Sequence, residues 1–191
     1  MNGTDRPGGG VNGAGRLLVE LGADRGSGIR IEWDPERLRS LRHSGRETAE
    51  RPWTLEAAEG ERAQPVRVLS AAFEDGSLLA VAATRSPGAA GHDEEEVRAV
   101  LAHRDEGPVE IADTLLSTQY GPDGAVTRVG LELYDDPEGP PRRVAGDRLT
   151  GRGAGEARSA DSVVMSFRID GTDGIGHYDS IESDHSRSQP K

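Results

Sequence analysis

Between Pro65 and Ser183 apolar and polar residues alternate in short runs, each pair of runs joined by a tight turn rich in Asp and Gly. A period of two is the pattern of a strand with one face buried, and Asp-Gly supplies the positive backbone torsions of a hairpin reversal. Val66 to Phe73 and Leu78 to Thr84 flank Glu74-Asp75-Gly76-Ser77, and Leu115 to Tyr120 and Ala125 to Tyr134 flank Gly121-Pro122-Asp123-Gly124. A third pair, Val163 to Ile169 and Ile175 to Ile181, flanks Asp170-Gly171-Thr172-Asp173-Gly174. Each is predicted to be an antiparallel hairpin.

The alternation also assigns faces. Val129, Leu131 and Leu133 share one side against Arg128, Glu132 and Tyr134, and Val163, Met165, Phe167 and Ile169 share one side of the last hairpin. Further strands are predicted at Leu17 to Leu21, Ile29 to Trp33, Val97 to His103, Val109 to Ala112 and Arg142 to Thr150. A sheet of about 8–10 antiparallel strands leaves exposed edges unless it closes, and neighbour-to-neighbour hairpins favour an up-and-down, lipocalin-like barrel over a Greek-key sandwich. The predicted fold class is all-β.

Composition narrows the setting. The 191 residues, 34% of them hydrophobic, are enough for one core, predicted over residues 16–183. Residues 1–15, with Gly8-Gly9-Gly10, and residues 184–191 lack apolar periodicity and are predicted to be disordered ends. Pro35 to Gln64 is charge-rich, with Leu38, Leu41, Leu55, Ala57 and Ala58 loosely spaced, and is predicted to form a short helix and a loop that serve as a lid or a plug. A net charge of −11 argues against a nucleic-acid partner, because neutralising phosphates takes clustered Lys and Arg. The basic cluster Arg37, Arg39, Arg42 and Arg46 is interrupted by acids and reads as a solvated helix face.

Zero cysteines remove disulfides and thiolate chemistry, and no stretch approaches the roughly 20 apolar residues of a membrane-spanning helix. No charged-then-apolar leader is present, so the expectation is a cytoplasmic protein with no membrane span. A homodimer is compatible with the sequence, which does not specify oligomeric state.

Several motifs lose force on inspection. Gly8-Gly9-Gly10-Val11-Asn12-Gly13 matches a dinucleotide fingerprint but precedes a strand instead of leaving one to open a helix. Asp170 to Gly174 lacks the ligand ladder of a calcium loop, and His92-Asp93-Glu94-Glu95-Glu96 reads as a solvated acidic loop. No cofactor and no metal are expected. What remains is a few polar groups on apolar strand faces, where a barrel would orient a ligand: His177, His103 and Gln119. Histidine exchanges protons near neutral pH, and Gln both donates and accepts. Trp33, Phe73, Met165, Phe167 and Tyr178 are the candidate wall. With only 4% aromatic residues, the rest of the wall must be aliphatic.

The order of Phe73-Glu-Asp-Gly76, Ser117-Thr-Gln-Tyr120 with Gly-Pro-Asp-Gly124, Gly130-Leu-Glu-Leu133, and Phe167-Arg-Ile-Asp-Gly171 with Gly174-Ile-Gly-His-Tyr178 resembles the carboxy-terminal barrel of the carotenoid hydratase (hydroxyneurosporene synthase) and AttH-like lipocalin families. The resemblance covers Val66 to Ile181. Proteins of these families usually pair two barrels, whereas this chain has room for one. The resemblance implies a barrel that binds a hydrophobic small molecule, polyketide- or isoprenoid-like, and that catalyses cyclisation, isomerisation or hydration without a cofactor. It also brings small lipocalin-like cyclases into view, for which positioning alone can contribute about 7–11 kcal/mol of effective-molarity advantage. A carrier without turnover, or a protein-interaction module, is the alternative.

Overall fold

The structure is a computed structural model that describes residues 17–24, 27–43, 52–57, 66–85, 95–104, 106–149 and 162–181. The expected disordered ends, the glycine fingerprint, Arg46, Ala58 and His92 to Glu94 lie outside the described residues. The alternating runs pair as their turns dictate. Nine strands form one antiparallel sheet: β4 (Val66–Phe73), β5 (Leu78–Arg85), β6 (Glu95–His103), β7 (Gly107–Glu110), β8 (Asp113–Tyr120), β9 (Val126–Tyr134), β10 (Arg142–Arg148), β11 (Ser162–Ile169) and β12 (Thr172–Ile181). They follow β1 (Leu17–Asp24), β2 (Ser27–Trp33), the helix α1 (Pro35–His43) and β3 (Trp53–Ala57).

The order across the large sheet is β7-β6-β5-β4-β12-β11-β10-β9-β8. Every neighbour but one is consecutive in sequence. The exception is β4 with β12, the first and last strands, paired from Gly174 opposite Phe73 to Ile181 opposite Val66. This is the wiring of an up-and-down barrel, with β7 and β8 as the two edges that face each other across the seam. There Ile111 N still donates to Ala99 O of β6 at 2.9 Å, and β8 runs close to β6, so the sheet is curled onto itself.

Turn chemistry sets the registers. Asp170 and Gly171 have φ of +48° and +84°, the two positive torsions a two-residue type I′ hairpin needs. The last turn is therefore tighter than the five residues the sequence suggested, and β12 begins at Thr172. At one end of the curled sheet the strands are joined by short connections: 74–77, 104–106, 135–141 and 170–171. At the other end lie the turn 121–125 and the starts of β4, β6 and β11.

Both faces of part of this sheet are buried. Leu69, Phe73, Leu79, Val81, Leu101, Val129, Leu131, Leu133, Met165, Phe167 and Tyr178 fill the inside of the curl. Val68, Ala72, Leu78, Ala80, Ala82 and Val100 point outward, under a second layer made of β1-β2-β3 and α1. That layer contributes Leu17, Val19, Leu21, Ile31, Trp33, Leu38 and Trp53. The sequence had put β1 and β2 among the barrel strands and residues 53–57 in a helix or loop. Instead β3 pairs with β2, Trp53 opposite Trp33, completing a separate sheet whose apolar face covers the outer apolar face of β4 and β5. The helix start is capped: Asp34 Oδ1 accepts from the amides of Glu36 at 2.9 Å and Arg37 at 3.2 Å, ahead of Pro35 at the first helical position. Among the described residues no helix is long and apolar enough to cross a membrane.

Candidate functional site

The sequence-derived residues fall into two groups on opposite sides of the large sheet. Phe73, Met165, Phe167 and Tyr178 are all buried inside the curl. Their rings spread over glycines: a Cβ on Gly174 would lie 2.6 Å from the Phe73 ring, and one on Gly146 would lie 2.5 Å from that of Phe167. Trp33 is buried too, but between the layers, where its indole Nε1 donates to Ser70 Oγ at 2.8 Å.

His177, His103 and Gln119 do not converge. Because strand side chains alternate, Tyr178 inside places His177 and Asp179 outside, beneath α1 and the small sheet. There Asp179 accepts from Trp53 Nε1 at 2.8 Å and from Ser162 Oγ at 2.6 Å. Burial depresses the His177 pKa, and the Asp179 charge only partly opposes this. His103 keeps the inward parity of Leu101 but ends β6, half-buried at the short-connection end near Asp75. Gln119 points outward from β8 and is exposed.

The polar groups that do meet inside the curl are Arg67, Arg85, Glu95, Thr118 and Tyr178, at the end where β4, β6 and β11 start. Arg67 on β4 follows the inward parity of Leu69 and Phe73. Its guanidinium pairs with Glu95 Oε2 of β6 and donates from Nη1 to Thr118 Oγ1 of β8 at 2.8 Å, so one side chain ties together three strands across the interior. Glu95 Oε1 accepts from Arg85 of β5 at 2.8 Å, and the Glu95 side chain is only 4% exposed.

Tyr178 stands beside this network on β12, 2% exposed. Its hydroxyl has the Arg67 guanidinium and the Tyr120 phenol as polar neighbours, yet among the described residues neither reaches it with hydrogen-bond geometry. Arg67 Nε is likewise buried without a partner. Burial pushes the Tyr178 pKa up to about 12; the Arg67 charge opposes the shift and Tyr120 adds to it. At neutral pH the group is therefore a protonated hydrogen-bond donor. Sequence reasoning passed over Arg67, although a lone Arg at inward parity within Val-Arg-Val-Leu-Ser-Ala-Ala-Phe is the available signal.

A groove of about 620 Å³ lies elsewhere, on the outer face of β8 to β11. Leu115, Gly130 and Ala145 floor it, and its rim carries Arg168 and the ion pair of Arg143 with Glu132 at 3.3 Å. Among the described residues no group of three acidic or histidine side chains is placed to hold a metal ion.

No family model matches the chain, and no curated protein matches it. Among solved structures, the kievitone hydratase of Nectria haematococca is similar with a TM-score of 0.49 and 9% identity, over 88% of this chain and 65% of that one. The chain thus spans just under two thirds of that protein's length.

Proposed function

We propose that the inside of the curled sheet, at the end where Arg67 and Tyr178 stand, binds a hydrophobic small molecule whose polar end meets Tyr178 and Arg67. One observation carries this reading: the Tyr178 hydroxyl, buried and unpartnered beside a buried guanidinium. Leaving a buried hydroxyl unsatisfied costs about 1–3 kcal/mol, a cost that a bound oxygen removes. Phe73 and Phe167 close the far end of the same interior. In this reading His177 and Gln119 face away from the interior and His103 lies at its opposite end, so none of the three stands beside Tyr178.

Turnover at such a site is cyclisation, isomerisation or hydration. These reactions need a molecule held in a reactive conformation and one hydrogen-bond or proton donor, which Tyr178 supplies at neutral pH. Without turnover, the same geometry serves a carrier.

The test uses the neutral dye N-phenyl-1-naphthylamine, whose fluorescence rises in apolar surroundings. The wild-type protein enhances it at a single site. Met165→Trp, which fills the interior, abolishes the enhancement while circular dichroism stays that of a β protein, and Ala145→Arg, which fills the outer groove, leaves it intact. The opposite pattern moves the site to the groove, and no enhancement with wild type ends the reading.

A further inference from the structure

The curl is not sealed evenly along its seam. β7 accompanies β6 only from His103 to Val100, and at Ala99 the carbonyl accepts from the amide of Ile111 at 2.9 Å. From Arg98 back to Glu95, β6 lies beside β8 with no backbone ladder between them among the described residues. Water reaches the inward side chains that flank this gap. Val97 on β6 and Leu116 on β8 pack against the interior cluster yet are only partly buried, and Tyr120, opposite the buried Val126, is 51% exposed. Inward residues on other strands, among them Leu69, Val81, Leu131 and Met165, are at most 2% exposed.

Arg67 crosses the gap from the other side of the interior. It reaches from β4 to pair with Glu95 at the start of β6, and its Nη1 donates to Thr118 Oγ1 of β8 at 2.8 Å. Thr118 lies on the inward face with Leu116, since their partners on β9 are Val129 and Leu131. A strand ladder gives way only when several backbone bonds break together, whereas a single side-chain bond opens and closes by itself. This edge of the curl therefore belongs to the part of the fold that opens at the lowest cost.

Resting on the reading of the interior as a ligand site, we propose that the gap between β6 and β8 is the entrance through which the apolar ligand arrives, and that the bond of Arg67 to Thr118 is its clasp. While the bond holds, β8 is tied to β4 and, through the same guanidinium, to Glu95 of β6. When it opens, β8 leans away and a hydrophobic molecule passes sideways over Val97, Leu116 and Tyr120, with every ladder left whole. The entrance leads directly to Tyr178, the polar neighbour of both Arg67 and Tyr120.

Two measurements on the full chain separate the clasp from the ligand. The chain has no cysteine, so a thiol introduced by Leu116→Cys reports the seam, and one introduced by Met165→Cys reports the closed side of the interior. Thr118→Val, which keeps the shape and removes the hydroxyl, should speed maleimide labelling at position 116 about tenfold, the low end of what a hydrogen bond to a charged group is worth, and leave labelling at position 165 unchanged. In stopped flow the same substitution should raise both the association and the dissociation rate of N-phenyl-1-naphthylamine about tenfold and keep its Kd within about twofold. Asp147→Asn, which breaks an exposed ion pair with Arg128, should change neither rate. Labelling that stays the same at position 116, or that rises equally at both positions, overturns the clasp. Faster labelling with unchanged dye rates overturns the entrance. If the wild type binds no dye, the interior reading falls and the entrance with it, while labelling at position 116 still decides the clasp.

Discussion

Trp53 Nε1 donates to Asp179 Oδ2 at 2.8 Å, and through that bond the small sheet is fastened to a central strand of the large one. Trp53 lies on β3 and Asp179 on β12, so the contact joins the two layers over the pair β12 with β4, in the middle of the large sheet. The carboxylate is 1% exposed and is held by neutral donors, the indole and the Ser162 hydroxyl. Hydrogen bonds to a charged group are worth about 1.5–3 kcal/mol, and losing one strands part of a buried charge. Trp53→Phe, which keeps most of the apolar area, should therefore lower stability by about 1–3 kcal/mol in urea unfolding. An unchanged midpoint would mean the layers are held by apolar contact alone.

His177, two residues before Asp179 on the same outer face, predicts a pH dependence. Its folded pKa is depressed by burial below the ordinary value of 6.5. In the window below 6.5 the unfolded chain binds a proton that the folded chain refuses, so stability is full above 6.5 and falls as pH drops toward the folded pKa. Urea midpoints measured between pH 8 and pH 5 should fall for wild type and fall less steeply for His177→Gln. Parallel curves for the two proteins would show that His177 titrates alike in both states.

What the sequence disclosed and what it hid follow from how local each feature is. The hairpins at Asp75-Gly76, Asp123-Gly124 and Asp170-Gly171 were legible because a turn and its flanking alternation lie within a few residues, and Gly76, Gly124 and Gly171 indeed take positive φ. The inward set Met165, Phe167 and Tyr178 follows from parity. Which side of a strand is the inside is not local. Leu78 to Ala83 is an unbroken apolar run, the pattern of a strand covered on both faces, and it announces the second layer that takes His177 and Trp33 away from the interior. Strand β3 was hidden because Trp53 to Ala57 is short and set among charges, and only pairing with β2 makes it a strand. The network around Arg67 was hidden because its members come from four strands far apart in sequence.

That network predicts a large penalty for a small change. Glu95→Gln keeps shape but leaves the buried Arg67 guanidinium, joined to Arg85 through Glu95, without its carboxylate. Removing one partner of a buried pair costs about 3–5 kcal/mol, whereas breaking an exposed pair such as Arg128 with Asp147 costs about 0–1 kcal/mol. Asp147→Asn is therefore the control. Similar urea midpoints for both variants would show that water reaches Glu95.

Tyr178 provides an alkaline signature. With its pKa raised to about 12, the folded protein holds the phenolic proton that the unfolded chain releases near 10, so the favourable contribution is complete below pH 10 and disappears as pH rises from 10 to 12. Of the three tyrosines in the chain, Tyr178 is the deeply buried one. Absorbance at the tyrosinate band should show one phenol ionising near pH 12 together with loss of near-ultraviolet dichroism, and Tyr178→Phe should lack that step. A phenol at position 178 that ionises with an exposed tyrosine would mean its hydroxyl is wet.

Gly146 and Phe167 make the sharpest packing prediction. They are cross-strand partners on β10 and β11, and a Cβ at Gly146 would stand 2.5 Å and 2.8 Å from two carbons of the Phe167 ring. The ring cannot retreat freely, because Gly174, the partner of Phe167 on β12, lies under the Phe73 ring in turn. Gly146→Ala should therefore cost about 1–3 kcal/mol, the range for overfilling a packed interior. Phe167→Leu alone should also destabilise, by opening space, yet in that background the added methyl has room. The double variant should then be more stable than the sum of the single costs implies, by about 0.5–3 kcal/mol, the coupling expected of residues in contact. Simple additivity in urea unfolding would show that the ring does not rest on Gly146, and would remove the reason why glycine stands in the middle of that strand.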